Sequence, residues 1–404
     1  MERTALSPEI GSRSVFSKLL GAAAAACFLA GCATTPARTP YTSADLASAR
    51  ALPGEPVRFW ANGADEQYQT WNNTLLAQRQ AAGSGAPSTL LAISGGADKG
   101  ALSAGLLNAW SKRGDRPDFD IVTGVSTGAL IAPFAFLGSA EDETLRAIYT
   151  GIDSRDIFRK QIVKGLFGGS SVLDSKPLQS LIARYVTPAF LDRVSAEHRR
   201  GRRLLVVTTN LDADRGVIWD MGAIAASSGS RRVDLFRQVL LASASIPGGF
   251  PPVPIKVTAN GRSFSELHVD GGTVGGFFIL PRAMLAALPK HANSAAIYLL
   301  YNARIERQFE LVKPRTFTIM ARALNSALSE MDRIMVRDMR AFAEERQVGF
   351  AMCAIGNDFE YPPSPLFDNK FMNALYAYGA RKGAEQRGCL SPGMHLEKPL
   401  TTRK

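Results

Sequence analysis

Ser126 stands in Gly124-Val125-Ser126-Thr127-Gly128, a serine with glycine two residues to either side. That spacing suits a hydroxyl displayed on a tight strand-to-helix turn, where side chains at the flanking positions would collide with the neighbouring strand or helix. The flanks fit, since Phe119–Thr123 reads as a short buried strand and Ala129–Ala132 opens an apolar helix. Upstream, the strand-like Leu90–Ile93 runs into Ser94-Gly95-Gly96-Ala97-Asp98-Lys99-Gly100 and then a helix. Such a turn presents consecutive backbone N–H groups at a helix N-terminus, a place for an anion. A nucleotide phosphate and the oxyanion of an attacked ester compete for it. Ala97 stands where GxGxxG needs its second glycine, and no Lys-Ser/Thr pair follows Gly100, so the nucleotide patterns fail. An oxyanion needs only two or three aimed donors near a nucleophile. Further on, Phe264–Asp270 reads as a strand ending in an acid, followed by Gly271 and Gly272. An aspartate in a shielded pocket can take the proton of an attacking serine if desolvation raises its pKa.

These blocks, together with Ala242-Ser243-Ala244-Ser245-Ile246-Pro247-Gly248-Gly249-Phe250-Pro251-Pro252-Val253, resemble the patatin-like phospholipase family over about Ser88 to Gly276. The resemblance implies a three-layer α/β/α sandwich with a mainly parallel central sheet. It implies Ser126 as nucleophile, Asp270 as base, and amides around Gly95, Gly96 and Ala97 as oxyanion donors, with Gly100, Gly124, Gly128, Gly271 and Gly272 supporting the motifs. The substrates implied are lipid acyl esters, cleaved through an acyl-serine intermediate with no cofactor and no metal. Ala97 departs from the family's usual third glycine, which keeps the donor but narrows the turn's freedom. Lys99 occupies a place often basic in the family, facing a phosphate or solvent. Two other readings stay open: a non-catalytic envelope lipoprotein that binds lipid or a partner, and an acyltransferase using the same dyad. Histidine is the more usual base, and His268 shares its strand face with Asp270, so a Ser126-His268-Asp270 triad is an alternative. Same-face neighbours leave the imidazole poorly placed between acid and serine. His198, His291 and His395 lie in polar or loop-like surroundings with no evident partner.

To position such a site, strand-length apolar runs at 89–93, 119–122, 204–208 and 295–300 alternate with helical periodicities, the pattern of an α/β protein with a largely parallel sheet. Between Thr316 and Phe342, Phe317, Met320, Leu324, Leu328, Met331, Met335 and Met339 recur at helical steps, so a long amphipathic helix is expected. Its methionines suit either core packing or an adaptable acyl groove. Arg199, Arg200, Arg202 and Arg203 form a basic cluster that fits anionic headgroups or a solvated loop.

The chain has 404 residues, 46% of them hydrophobic, with net charge +11 and a pI near 9.6. That balance points to an anionic partner. Nucleic acid is excluded on pattern, because no aromatics interleave with the charges and the chain reads as exported. Arg3, Arg13 and Lys18 precede an apolar run, Leu19–Ala30, too short to span a bilayer, and Leu29-Ala30-Gly31-Cys32 resembles a bacterial lipobox. Residues 1–31 are therefore expected as a lipoprotein signal peptide and Cys32 as the lipidated first residue, the alternative being an ordinary secretory signal cut near Ala30. The expected location is the bacterial cell envelope, lipid-anchored and facing the periplasm. Ala33 is compatible with sorting to an outer membrane. Residues 33–56 read as a solvated tether within a linker and preamble, 32–87, that includes a helix-like segment from Asp65 to Gln80. A catalytic core over 88–285 and a C-terminal helical part over 286–404 complete the expected domain. Cys353 and Cys389 remain free to pair, and no metal-ligand spacing is present.

Overall fold

The computed structural model describes residues 38–54, 56–86, 88–160, 171–278, 280–281, 285, 295–386 and 388–391. The expected signal peptide, Cys32, His291 and His395 lie outside these. In chain order the strands are β1 Arg58–Trp60, β2 Thr89–Ile93, β3 Ile121–Val125, β4 Arg159–Lys160, β5 Leu173–Asp174, β6 Arg203–Asn210, β7 Arg215–Asp220, β8 Val253–Ala259, β9 Arg262–Asp270, β10 Ala296–Tyr301 and β11 Gly349–Ala354. The helices are α1 Ser43–Ser48, α2 Asp65–Ala81, α3 Ala101–Arg113, α4 Thr127–Leu137, α5 Asp142–Gly151, α6 Ser154–Ile157, α7 Lys176–Tyr185, α8 Pro188–Arg199, α9 Met221–Ala226, α10 Arg231–Ser243, α11 Thr316–Arg346 and α12 Asn369–Ala384.

Strands buried on both faces must be apolar at consecutive positions, and β2, β3, β6 and β10 are. Their side chains alternate between two cores. Leu91, Ile93, Val122, Leu204 and Val206 face α3, α4, α5, α7, α8, α10 and α12. Leu90, Ala92, Ile121, Leu205 and Val207 face α2 and the C-terminal half of α11. The sheet order is β1-β7-β6-β3-β2-β10-β11, with the β8–β9 hairpin joined to β6. Strands β6, β3, β2, β10 and β11 are mutually parallel, whereas β7 and β9 run antiparallel to β6. This is the expected three-layer, mainly parallel α/β sandwich. Strand β10 lies inside the sheet between β2 and β11, so the chain beyond residue 285 completes the sheet as well as adding helices.

Residues 38–54 and 56 depart from the expected tether. Tyr41 stacks on Phe264 at 4.3 Å between ring centroids. Arg38 donates to Asp212 Oδ1 at 2.8 Å, and Ala49, Ala51 and Leu52 are buried against the first core. Two members of the basic cluster, Arg202 and Arg203, are likewise structural, whereas Arg199 and Arg200 are exposed. Arg203 is buried and donates to Gln78 Oε1 at 2.7 Å, Arg202 donates to Phe119 O at 2.8 Å, and Arg200 and Arg202 pair with Glu197. His198, expected without a partner, is buried with Nδ1 3.5 Å from Asp220 Oδ1. Cys353 and Cys389 form a disulfide that ties β11 to the segment after α12.

Candidate active site

Register brings Ser126 and Asp270 together. Strand β3 ends at Val125, opposite Val207 of β6. Strand β9 returns along the same edge of β6 in the opposite sense and ends at Asp270, opposite Thr208. The two strands meet end to end, so the residue after one and the last residue of the other are neighbours although 144 positions separate them. The Asp270 backbone is fixed there by Asp270 N donating to Ser245 O at 2.9 Å and Thr209 Oγ1 donating to Asp270 O at 3.0 Å.

Ser126 sits at φ 55°, ψ −125°, between β3 and α4, a strained conformation for a non-glycine residue. A Cβ on Gly124 would lie 2.5 Å from Gly128 O, and one on Gly128 2.2 Å from Ile93 O, so both glycines are dictated by close backbone approach. Ser126 N donates to Ser243 Oγ at 3.0 Å, and Ser243 Oγ donates to Val207 O at 2.7 Å, which locks the turn onto β6. Ser243 stands in the Ala-Ser-x-x-Ile-Pro block, whose pattern carries no sign of this role.

The glycine turn after β2 packs directly on the serine: a Cβ on Gly95 would be 3.0 Å from Ser126 Cβ. One expected donor is corrected. Gly95 N donates to Gly276 O at 2.8 Å and is not free for an oxyanion. Among the described residues no backbone carbonyl takes the Gly96 or Ala97 N–H. Ala97 holds φ 53° without being glycine, at a cost of about 1–3 kcal/mol. Gly100 backs the turn against Thr127, whose Oγ1 a Cβ would meet at 2.6 Å. Lys99 is exposed.

Two buried side chains beyond the motifs brace this turn. Asn302, just after β10, donates through Nδ2 to Ser94 O at 2.9 Å and accepts from Ser103 Oγ at 2.6 Å. Asp332 on α11 accepts from Gly276 N at 2.9 Å and from Tyr301 OH at 2.8 Å. Asp332 thus holds the same residue whose carbonyl holds Gly95. Both follow the carboxyl ends of parallel strands in space, the usual place for site residues in α/β sheets, but their partners are too distant in sequence to be read.

Burial pushes the Asp270 carboxyl up to about 7, against the opposing pull of the Ser126 hydroxyl and of Gly272 N. Gly272 N donates to Oδ1 at 2.7 Å. The Ser126 hydroxyl is near enough to favour the carboxylate but short of a well-aligned hydrogen bond, and Oδ2 is buried with no full partner. A Cβ on Gly271 would strike Val207 O at 2.4 Å, and one on Gly272 would sit 3.0 Å from Asp270 Oδ1. His268 is not between acid and serine. Its Nδ1 pairs with Thr208 Oγ1 at 2.9 Å and its Nε2 with Glu266 Oε2 at 3.1 Å, so both nitrogens are engaged elsewhere.

Ser126, Thr127 and Ala97 form the polar end of a cleft of about 800 Å³, its mouth included, whose walls are otherwise apolar, among them Leu130, Phe134, Leu181, Ile182 and Phe250. The α11 methionines do not line it. Met339 is buried in the second core and Met320 is exposed, so the acyl-groove reading of that stripe is set aside. A serine hydroxyl, a carboxylate with an elevated pKa and unclaimed amides at one end of an apolar cleft can together attack an acyl carbonyl and stabilise the resulting charge.

Residues 91–281 match the family model described as patatin-like phospholipase, and the resemblance read from the motifs is thereby shown. The match indicates lipid acyl hydrolysis as the class of activity. No curated protein matches the chain. Among solved structures, VipD from Legionella pneumophila is similar at 13% identity and TM-score 0.32, over 74% of this chain and 67% of that one.

Proposed function

We propose, from the patatin-like phospholipase resemblance of residues 91–281, that the chain is a lipid acyl hydrolase working through a Ser126–Asp270 dyad. The observation that carries the reading is the end-to-end meeting of β3 and β9 on one edge of β6, which sets the hydroxyl against a buried carboxylate. Asp270 takes the Ser126 proton as Oγ attacks the acyl carbonyl. The N–H groups of Gly96 and Ala97 stabilise the oxyanion. The alcohol leaves with the proton held by Asp270, giving acyl-Ser126. Water, deprotonated by the same carboxylate, then releases the fatty acid and restores the serine. The apolar cleft holds the acyl chain, which removes its surface from water at about 0.8 kcal/mol per methylene. Cys32, as the lipidated first residue of the mature chain, would hold the enzyme in the bacterial envelope at the lipid it cleaves.

Release of fatty acid from a panel of membrane phospholipids and lysophospholipids, followed by mass spectrometry, tests this reading. Free fatty acid appearing with the wild type and not with Ser126→Ala supports it. Acyl groups recovered on an acceptor other than water would make the protein a transferase, and no acyl chemistry at all would make it a binder.

A further inference from the structure

Helix α11 has 31 residues, a length of about 46 Å, whereas the six-residue strands β10 and β11 that it connects span about 20 Å. The chain crosses from the carboxyl end of β10 to the amino end of β11, so α11 begins on the edge of the sheet where Ser126 lies. Asp332 marks the level of that edge, because it binds Tyr301, the last residue of β10, and Gly276. Residues 316–331 therefore project roughly 24 Å beyond it. The apolar stripe runs on into this overhang. Below the edge it is buried as Val336, Met339 and Phe342, while above it Ile319, Met320 and Leu324 are 51%, 61% and 59% exposed. The preceding loop adds Phe309 at 91% and Leu311 at 86%. It is fastened to the helix by Arg322, which donates to Gln308 O at 2.6 Å.

Other exposed apolar residues gather on the same edge: Leu211 after β6, Ile246 at the cleft and Leu366 after β11. Large apolar side chains left exposed along one edge of a molecule mark an interaction site. Charge selects the partner. Residues 304–324 contain five basic and two acidic side chains; Arg307 and Arg322 are tied to Glu330 and Glu310, and Lys313 and Arg315 are exposed. The point where the chain enters the body agrees. Arg38 is held by Asp212 in the turn after β6, on this same edge, and Cys32 lies six residues earlier, within about 20 Å of chain.

We propose that the projecting half of α11 and the loop before it form an arm that inserts its apolar side chains into an anionic phospholipid surface and turns the Ser126 cleft toward that surface. The choice of lipid as occupant rests on the acyl-hydrolase reading, but membrane binding is read without activity. In the full chain carrying Cys27→Ser and Cys32→Ser, an environment-sensitive fluorophore is placed on Met320→Cys or, as a reference on α2, on Leu76→Cys. Vesicles of phosphatidylcholine with about one-third phosphatidylglycerol should blue-shift the probe at 320 and leave that at 76 in water. Combined Phe309→Ser, Leu311→Ser, Met320→Gln and Leu324→Gln, all at exposed positions, should weaken binding to the same vesicles by about tenfold or more. Hydrolysis of a soluble short-chain ester should be unaffected by those four changes. An unshifted probe at 320, equal shifts at both sites, or unchanged vesicle binding by the fourfold variant overturns the proposal. So does loss of a dimer in the fourfold variant, measured by light scattering, with vesicle binding intact. Failure of ester hydrolysis with the lipid shift intact would instead remove the catalytic reading and leave the arm.

Discussion

Glu266 and Asp270 lie four residues apart on β9, both buried, yet the protein drives their carboxyls in opposite directions. Burial pushes each one up. At Glu266 this is outweighed by Arg58 and His268, which hold it down at about 2. At Asp270 no cation opposes burial, and only the Ser126 hydroxyl and Gly272 N favour the charge, so its pKa rises to about 7. A buried acid paired with arginine is a structural ion; a buried acid left beside a serine is a base with protons to exchange near neutral pH.

Breaking the comparison at Asp270 should have the largest effect. Asp270→Asn removes the base and should lower kcat/KM on an ester by about 10²–10⁴-fold with the fold intact, as read by turnover and circular dichroism. Breaking it at Glu266 should fall on stability. Glu266→Gln leaves the nearly buried Arg58 guanidinium without its counter-charge, and denaturant unfolding should show a loss of about 3–5 kcal/mol.

The two acids should also tilt stability with pH in opposite senses. Asp270 has a raised folded pKa, so its contribution is whole below its unfolded value near 4 and is lost as pH climbs through about 7. Glu266 has a depressed one, so its contribution is present above its unfolded value near 4.5 and is lost as pH falls toward about 2. Thermal melts should show Asp270→Asn more stable than wild type at pH 8 and no more stable at pH 4. A smaller effect sharpens the contrast. Ser126→Ala removes a group that favours the Asp270 carboxylate, so the Asp270 pKa should rise further, while that of Glu266 stays put, by carboxyl NMR titration. Asp332→Ala, which frees Gly276 and with it Gly95, should lower kcat more than it raises KM, with Asp332→Asn restoring much of the loss.

Local sterics were readable from the sequence, and distant partners were not. Gly124, Gly128, Gly271 and the serine between the first two are constrained by contacts within a turn or against an adjacent strand, so residue type and spacing sufficed. Strands β2, β3, β6 and β10 are legible because burial on both faces makes them nearly continuously apolar, whereas β11, at the edge of the sheet with alternating burial, carries no such run. Gly95 reads as a free donor because its acceptor, Gly276, is brought beside it only by the fold. Asn302 and Asp332 escaped for the same reason. The segment at 38–54 reads as a tether because it lacks a sustained period; it is held by Tyr41 on Phe264, Arg38 on Asp212, the buried Ala49, Ala51 and Leu52, and a backbone bridge between Arg50 and Thr258. Arg203 reads as surface-like by type, yet Gln78 on a neighbouring element accepts from its guanidinium within the core; His198 is buried too, with Nδ1 making no hydrogen bond.

The rate at which a fluorophosphonate modifies Ser126, followed across pH, tests the dyad most directly. The account predicts that the wild-type rate rises through an apparent pKa near 7 and that Asp270→Asn reacts slowly with no such rise. A rate independent of pH around neutrality, or an Asp270→Asn variant labelled as fast as wild type, would contradict it.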